Sequence, residues 1–201
     1  MARQLTPSHD PIERLPAAFT REAALESGIT RSLLDRLIRD GQLERFGHGL
    51  LLRPVATAEA DLNLLEAVLR SPQATMCLSS ALAYHDLTDE IPSATHLAIP
   101  RGAHRLTGPA SVTWHTFDPE TFEVGRTEHP ISSGVALGLY GPERSIIDAF
   151  NPRIGSGSDL AVEALRRWLA TTGSQPGSLL RMAEPWPHAR APLLRAMQIL
   201  L

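Results

Sequence analysis

From Thr20 to Arg53 the chain reads TREAALESGITRSLLDRLIRDGQLERFGHGLLLR, and its apolar positions change period within that stretch. Laid out at about 100° per residue, Leu33, Leu34, Leu37 and Ile38 share one arc and Arg31, Ser32, Asp35, Arg36 and Arg39 the other, which predicts an amphipathic helix from Arg31 to Arg39. Thr30 stands where a side-chain oxygen can satisfy an amide orphaned at the helix start. An earlier helix, Arg21 to Ser27, is stopped by Gly28, leaving Ile29 in the turn, and its small residues Ala23 and Ala24 allow a close, steep approach. After Asp40-Gly41, two short apolar runs, Leu43 to Phe46 and Leu50 to Arg53, flank Gly47-His48-Gly49 and predict a hairpin. Helix, turn, helix and hairpin in this order predict a winged helix-turn-helix over residues 1–54.

The rest of the chain has a different texture. Ahead of the winged unit, Asp10-Pro11 offers a cap and a first-turn proline, predicting a short helix from Ile12 to Phe19. Leu62, Leu65, Val68 and Leu69 recur at helical spacing until Pro72. Thr75 to Leu78, His96 to Ile99, Val112 to Phe117, Phe122 to Glu128 and Val135 to Tyr140 have strand character, separated by glycine and proline breaks. Ser79 is placed to cap a helix through Tyr84, Pro142 opens another with Glu143 in its first turn, and Asp159 is placed to cap Leu160 to Thr171. Two further helical segments, from Ser178 and after Pro187, end the sequence. These elements predict an α+β second domain over residues 55–201, with a small, largely antiparallel sheet and C-terminal helices.

Charge narrows the possibilities. A formal net charge of −3 is the wrong sign for a general nucleic-acid coat, so any DNA contact must be local. All 19 basic residues are Arg, which disfavours Walker-type phosphate loops and Schiff-base chemistry, because both need Lys. No apolar run is long enough to span a bilayer and no signal peptide is evident, so a cytoplasmic protein without membrane contact is expected. Cys77 is the sole cysteine, which excludes an internal disulfide.

The chemistry such a chain can offer lies first on the exposed arc of the second helix. In a major groove Arg can bond two acceptors of guanine, and Ser or Thr can reach bases or phosphates. Arg31, Ser32 and Arg36 are the candidate base contacts. Thr30, Asp35, Arg39, Arg45 and His48 complete the predicted DNA surface, with Arg39, Arg45 and His48 on the backbone. A solvated face is the bland alternative, since Asp35 is spaced to pair with Arg31 or Arg39. His85, Asp86, Asp89 and Glu90 carry metal-ligating groups, but they fall where a helix ends in a polar loop that needs capping and solvation anyway. Ser79-Ser80 lacks the glycine-flanked elbow of a nucleophile, and Cys77 sits among apolar neighbours. Asp148 is spaced to pair with Arg144 or Arg153. No catalytic residue, metal or cofactor is expected.

GITRSLLDRLIRDGQLERFGHGLLLR, CLSSALAYHDLTDEIP, HLAIPRG and YGPERSIIDAF together resemble the AbiEi-type antitoxins of type IV toxin-antitoxin systems, over nearly the whole chain from Phe19. The resemblance implies a winged-helix domain that represses its own operon and a second domain that helps to neutralise a cognate nucleotidyltransferase toxin (AbiEii-like). The expected partners are therefore that toxin and promoter DNA carrying an inverted repeat. Two other readings stay open: a stand-alone transcription regulator with a ligand-sensing or dimerisation domain, and an enzyme with a DNA-targeting module. No heptad or long exposed apolar strand declares a dimer face.

Overall fold

Ala18, Phe19 and Thr20 form a strand, β1 (Ala18–Thr20), where the sequence predicts the end of a helix. The correction has a pairing origin: β1 runs antiparallel to β3 (Leu50–Leu52), with Phe19 opposite Leu51, and this register buries Phe19 beside the helices that follow. The computed structural model describes residues 15–47, 49–54, 61–103, 111–132, 134–154 and 157–201; Ile12 to Arg14 of the expected helix lie outside them. Thr20 ends the strand and starts α1 (Arg21–Glu26), its hydroxyl accepting from the Ala23 amide at 3.1 Å.

Gly28, at φ +86°, then turns the chain through a conformation that side chains with a Cβ rarely adopt. Helix α2 (Arg31–Arg39) begins where the Thr30 oxygen accepts from the Leu33 amide at 3.3 Å. Strand β2 (Glu44–Phe46) pairs antiparallel with β3, so the small sheet has the order β1-β3-β2. Phe19, Ala24, Ile29, Leu34, Leu37, Leu43 and Leu51 fill the space between sheet and helices. Helix α3 (Leu62–Arg70) is capped by the Asp61 carboxylate, which accepts from the amides of Asn63 and Leu64.

The chain divides into two compact units, one ending at Arg70 and also holding Pro130–Ala136, the other made of Ser71–His129 and Leu137–Leu201. Helix α3, assigned above to the second domain, thus belongs with the first unit.

After α3, β4 (Thr75–Met76) leads directly into α4 (Leu78–Tyr84), and the remaining strands are β5 (Thr95–Pro100), β6 (Val112–Phe117), β7 (Arg126–Ser132) and β8 (Val135–Tyr140), the end of β7 and the start of β8 falling in the segment Pro130–Ala136. The sheet order is β6-β5-β4-β8-β7. It is mixed rather than largely antiparallel: β4 opposes β5, but β5 runs parallel to β6 and β4 parallel to β8. Glycine and proline breaks between successive strands predict antiparallel neighbours, whereas β6 runs in the same direction as β5, a pairing that a tight turn cannot make.

Two expected caps are also corrected. Cys77 holds the position before α4, because its amide still bonds the His96 carbonyl across the sheet, and Ser79 lies inside the helix. Gly157 precedes α6 (Ser158–Ala170), and Asp159 sits within its first turn. The expected strand from Phe122 is a turn as far as Gly125. Side chains take several carbonyls here, Arg144 bonding those of Thr121 and Val124 and Tyr140 that of Phe122, while the carbonyls of Glu123 and Gly125 accept from the amides of Arg126 and Gly141. Helix α5 (Pro142–Ala149) opens with the predicted proline and is buried from Arg144 to Ala149. Against it pack α6, α7 (Pro176–Met182) and α8 (Pro187–Leu200), through Ile146, Leu165, Trp168, Leu179, Leu193 and Met197.

Candidate nucleic-acid interface

Helix α2 divides as its periodicity predicts. Leu34 and Leu37 are buried and Leu33 and Ile38 half-buried, while Arg31, Ser32, Arg36 and Arg39 are exposed. This division decides what the helix can offer: its leucines are committed to the core and its guanidinium groups to solvent. Among the described residues neither Arg31 nor Arg36 has an ion-pair partner, so both keep their donors available.

Asp35 behaves differently from the spacing argument. Its carboxylate takes neither Arg31 nor Arg39. Oδ1 accepts from Arg21 Nη2 at 2.8 Å, and Arg45 Nη2 lies 3.6 Å from the same oxygen. Arg39 Nε instead donates to the Asp35 backbone carbonyl at 3.3 Å. The Thr30 hydroxyl, beyond its capping bond, is 3.2 Å from the Ser32 hydroxyl. The β2–β3 hairpin stands beside this face, its turn bound to the start of α1 by a bond from the Arg21 amide to the Gly49 carbonyl at 3.0 Å. His48 lies outside the described residues.

The surface gathered here therefore comprises Thr30, Arg31, Ser32, Asp35, Arg36 and Arg39 of one helix and its cap, Arg45 of the hairpin, and Arg21. The last is absent from the sequence reading. No short-range pattern marks it, since its partner is fourteen residues away and the two meet only once the helices cross.

In the second unit His85, Asp89, Ser80 and Asp148, all weighed above for chemistry, have structural partners. His85 Nε2 donates to the Tyr140 carbonyl at 2.8 Å, and Asp89 is paired with Arg167, whose guanidinium holds that carboxyl below its ordinary range. Ser80 Oγ accepts from the His96 amide at 2.9 Å. Cys77 is fully buried, and burial pushes its thiol well above the usual range. Asp148 pairs with Arg144 rather than Arg153. A cavity of about 380 Å³ opens beside this pair, with Arg101, Arg153, Trp186 and His188 in its wall. Among the described residues no helix is long and apolar enough to cross a membrane.

Sheets and helices together define an α+β protein, with one antiparallel and one mixed sheet and eight helices among the described residues. Its fold is similar to that of the RV2827C protein from Mycobacterium tuberculosis, known from a crystal structure: the TM-score is 0.56 and the identity 18%, over 92% of this chain and 76% of that one. At that identity the likeness is one of fold. No family model and no curated protein matches the chain.

Proposed function

We propose that the first unit is a winged helix-turn-helix that binds promoter DNA, and that the chain is the antitoxin of a type IV toxin-antitoxin system. The observation that carries the DNA reading is the exposed row of Arg31, Ser32 and Arg36 on a helix capped by Thr30, beside a glycine-flanked hairpin. In a winged helix the second helix of the pair lies in the major groove, its first residues reaching base edges, while the hairpin touches the backbone. Arg31 and Arg36 read guanine, Ser32 and Thr30 reach bases or phosphates, and Arg39 and Arg45 position the unit on the backbone. Repression follows from occupancy of an inverted repeat overlapping the promoter.

The antitoxin reading is supported by the family-like segments CLSSALAYHDLTDEIP, HLAIPRG and YGPERSIIDAF, all in the second unit. That unit would contact a nucleotidyltransferase toxin. A stand-alone regulator is the second reading, favoured by the cavity beside Arg144 and Trp186, which is large enough for a small ligand.

Exchange of Arg31 and Arg36 for Ala abolishes the gel shift of a duplex spanning the protein's own promoter; an unchanged shift overturns the DNA reading. Coexpression with the adjacent downstream reading frame tests the antitoxin reading. Rescue of a growth defect caused by that frame supports it, and a frame that is harmless alone, or whose defect persists, favours the stand-alone regulator.

A further inference from the structure

An acidic side chain on a helix that faces DNA repels phosphate unless something neutralises it, so Asp35, in the middle of α2, needs a reason to be there. Its carboxylate gathers two arginines from two other elements. Arg21, the first residue of α1, donates from Nη2 at 2.8 Å, and Arg45, on β2, approaches the same oxygen to 3.6 Å. One negative charge and two positive ones leave the trio cationic. The three side chains are 36%, 48% and 63% exposed for Arg21, Asp35 and Arg45, and ion pairs that exposed contribute little to stability. Each guanidinium carries five donors in a rigid fork; Arg21 spends one on Asp35 and Arg45, at 3.6 Å, is held by charge alone, so the rest stay available to a phosphate.

We infer that Arg21 is a phosphate contact of the interface and that Asp35, on the helix that carries the base-reading arginines, is its positioning residue, fixing Arg21 and Arg45 together in advance against the DNA backbone. The inference rests on the DNA-binding reading above. Pre-setting two long side chains removes rotamer freedom that binding would otherwise have to remove, and it ties the hairpin to the reading helix. A complex in register with its site gains from this. A loose, sequence-independent encounter does not.

The test compares the full chain with Asp35→Asn, Arg21→Ala, Arg21→Lys, the double variant Arg21→Ala with Arg45→Ala, and that double variant combined with Asp35→Asn, on the promoter duplex and on an unrelated duplex of equal length. Thermal unfolding confirms that each variant is folded. Arg21→Ala lowers the slope of log affinity against log salt by about 1, the loss of one phosphate contact, and Arg21→Lys retains that slope. Asp35→Asn weakens the promoter complex about tenfold while binding to the unrelated duplex holds or rises, and it has no further effect once both arginines are Ala. If Asp35→Asn strengthens both complexes equally, its role is charge alone. If it loses discrimination at a single base pair, Asp35 reads a base directly. Either result overturns the inference, as does an unchanged salt slope in Arg21→Ala. A wild-type chain that binds neither duplex overturns the DNA reading itself and this inference with it.

Discussion

Arg144 donates from Nε to both carboxylate oxygens of Asp148 at 3.0 Å, one turn apart on α5, with neither side chain reaching solvent. The same guanidinium bonds the Thr121 and Val124 carbonyls at 2.7 Å, and its carbon lies 4.3 Å from the ring centres of both Tyr140 and Trp186. One side chain thus joins α5, the turn before β7, the end of β8 and the start of α8. Removing it strands a buried carboxylate and two carbonyls. Arg144→Met is expected to lower unfolding free energy by about 3–5 kcal/mol, the range for breaking one side of a buried pair. Arg144→Met with Asp148→Leu recovers part of that loss, because no buried charge is left behind. Urea denaturation of the three chains measures both effects, and an Arg144→Met chain as stable as the parent contradicts the assignment.

Burial pushes the Asp148 carboxyl up to about 6, against the opposing pull of Arg144. Between pH about 4 and 6 the folded chain holds a proton there that the unfolded chain has released. This group therefore adds stability that is fully present below about pH 4 and is lost as pH rises to about 6, a change of about 3 kcal/mol. Asp148→Asn removes the titration. The difference in unfolding free energy between parent and variant should accordingly slope across pH 4 to 6 and be flat above 7. A flat difference throughout means that the carboxyl titrates in its ordinary range.

Two glycines separate backbone strain from crowding. Gly28 has φ +86° and open space where a Cβ would stand; Gly125 has φ +73°, and its Cβ would lie 2.8 Å from Cβ of Arg144. Gly28→Ala is expected to lower stability by the conformational term alone, about 1–2 kcal/mol. Gly125→Ala adds an overpacking term of about 1–3 kcal/mol, and it presses on the residue that holds Thr121 and Val124. Chemical denaturation should therefore rank Gly125→Ala well below Gly28→Ala; equal losses would mean that the turn before β7 yields freely.

Features written in short-range pattern were legible: the amphipathic arc of α2, the Thr30 cap, the hairpin strands and the proline opening α5. Features set by distant partners were not. Strand β1 is three residues long and exists because β3 lies beside it. Phe122 and its neighbours look like a strand, but Arg144 and Tyr140 claim their carbonyls from another part of the chain. The parallel pairing of β5 with β6 depends on where a connection leads, which residue types at the break do not encode. In the candidate interface the same division applies. Arg31, Ser32 and Arg36 follow from helical period, whereas Arg21 joins them through Asp35, on the next helix.

The chain carries more acid than base overall, so under the proposed function any contact with DNA is expected to be confined to the face of α2 and the hairpin. Each phosphate neutralised there contributes about −0.9 to the slope of log affinity against log salt. If two copies occupy an inverted repeat, the slope for the full repeat is about twice that for a duplex carrying one half-site, at equal duplex length. Fluorescence anisotropy across 50 to 200 mM salt, roughly the window in which such slopes are usually read, measures both. Equal slopes on the two duplexes point to a single bound copy and remove the inverted repeat from the mechanism. A complex insensitive to salt removes the arginine contacts altogether.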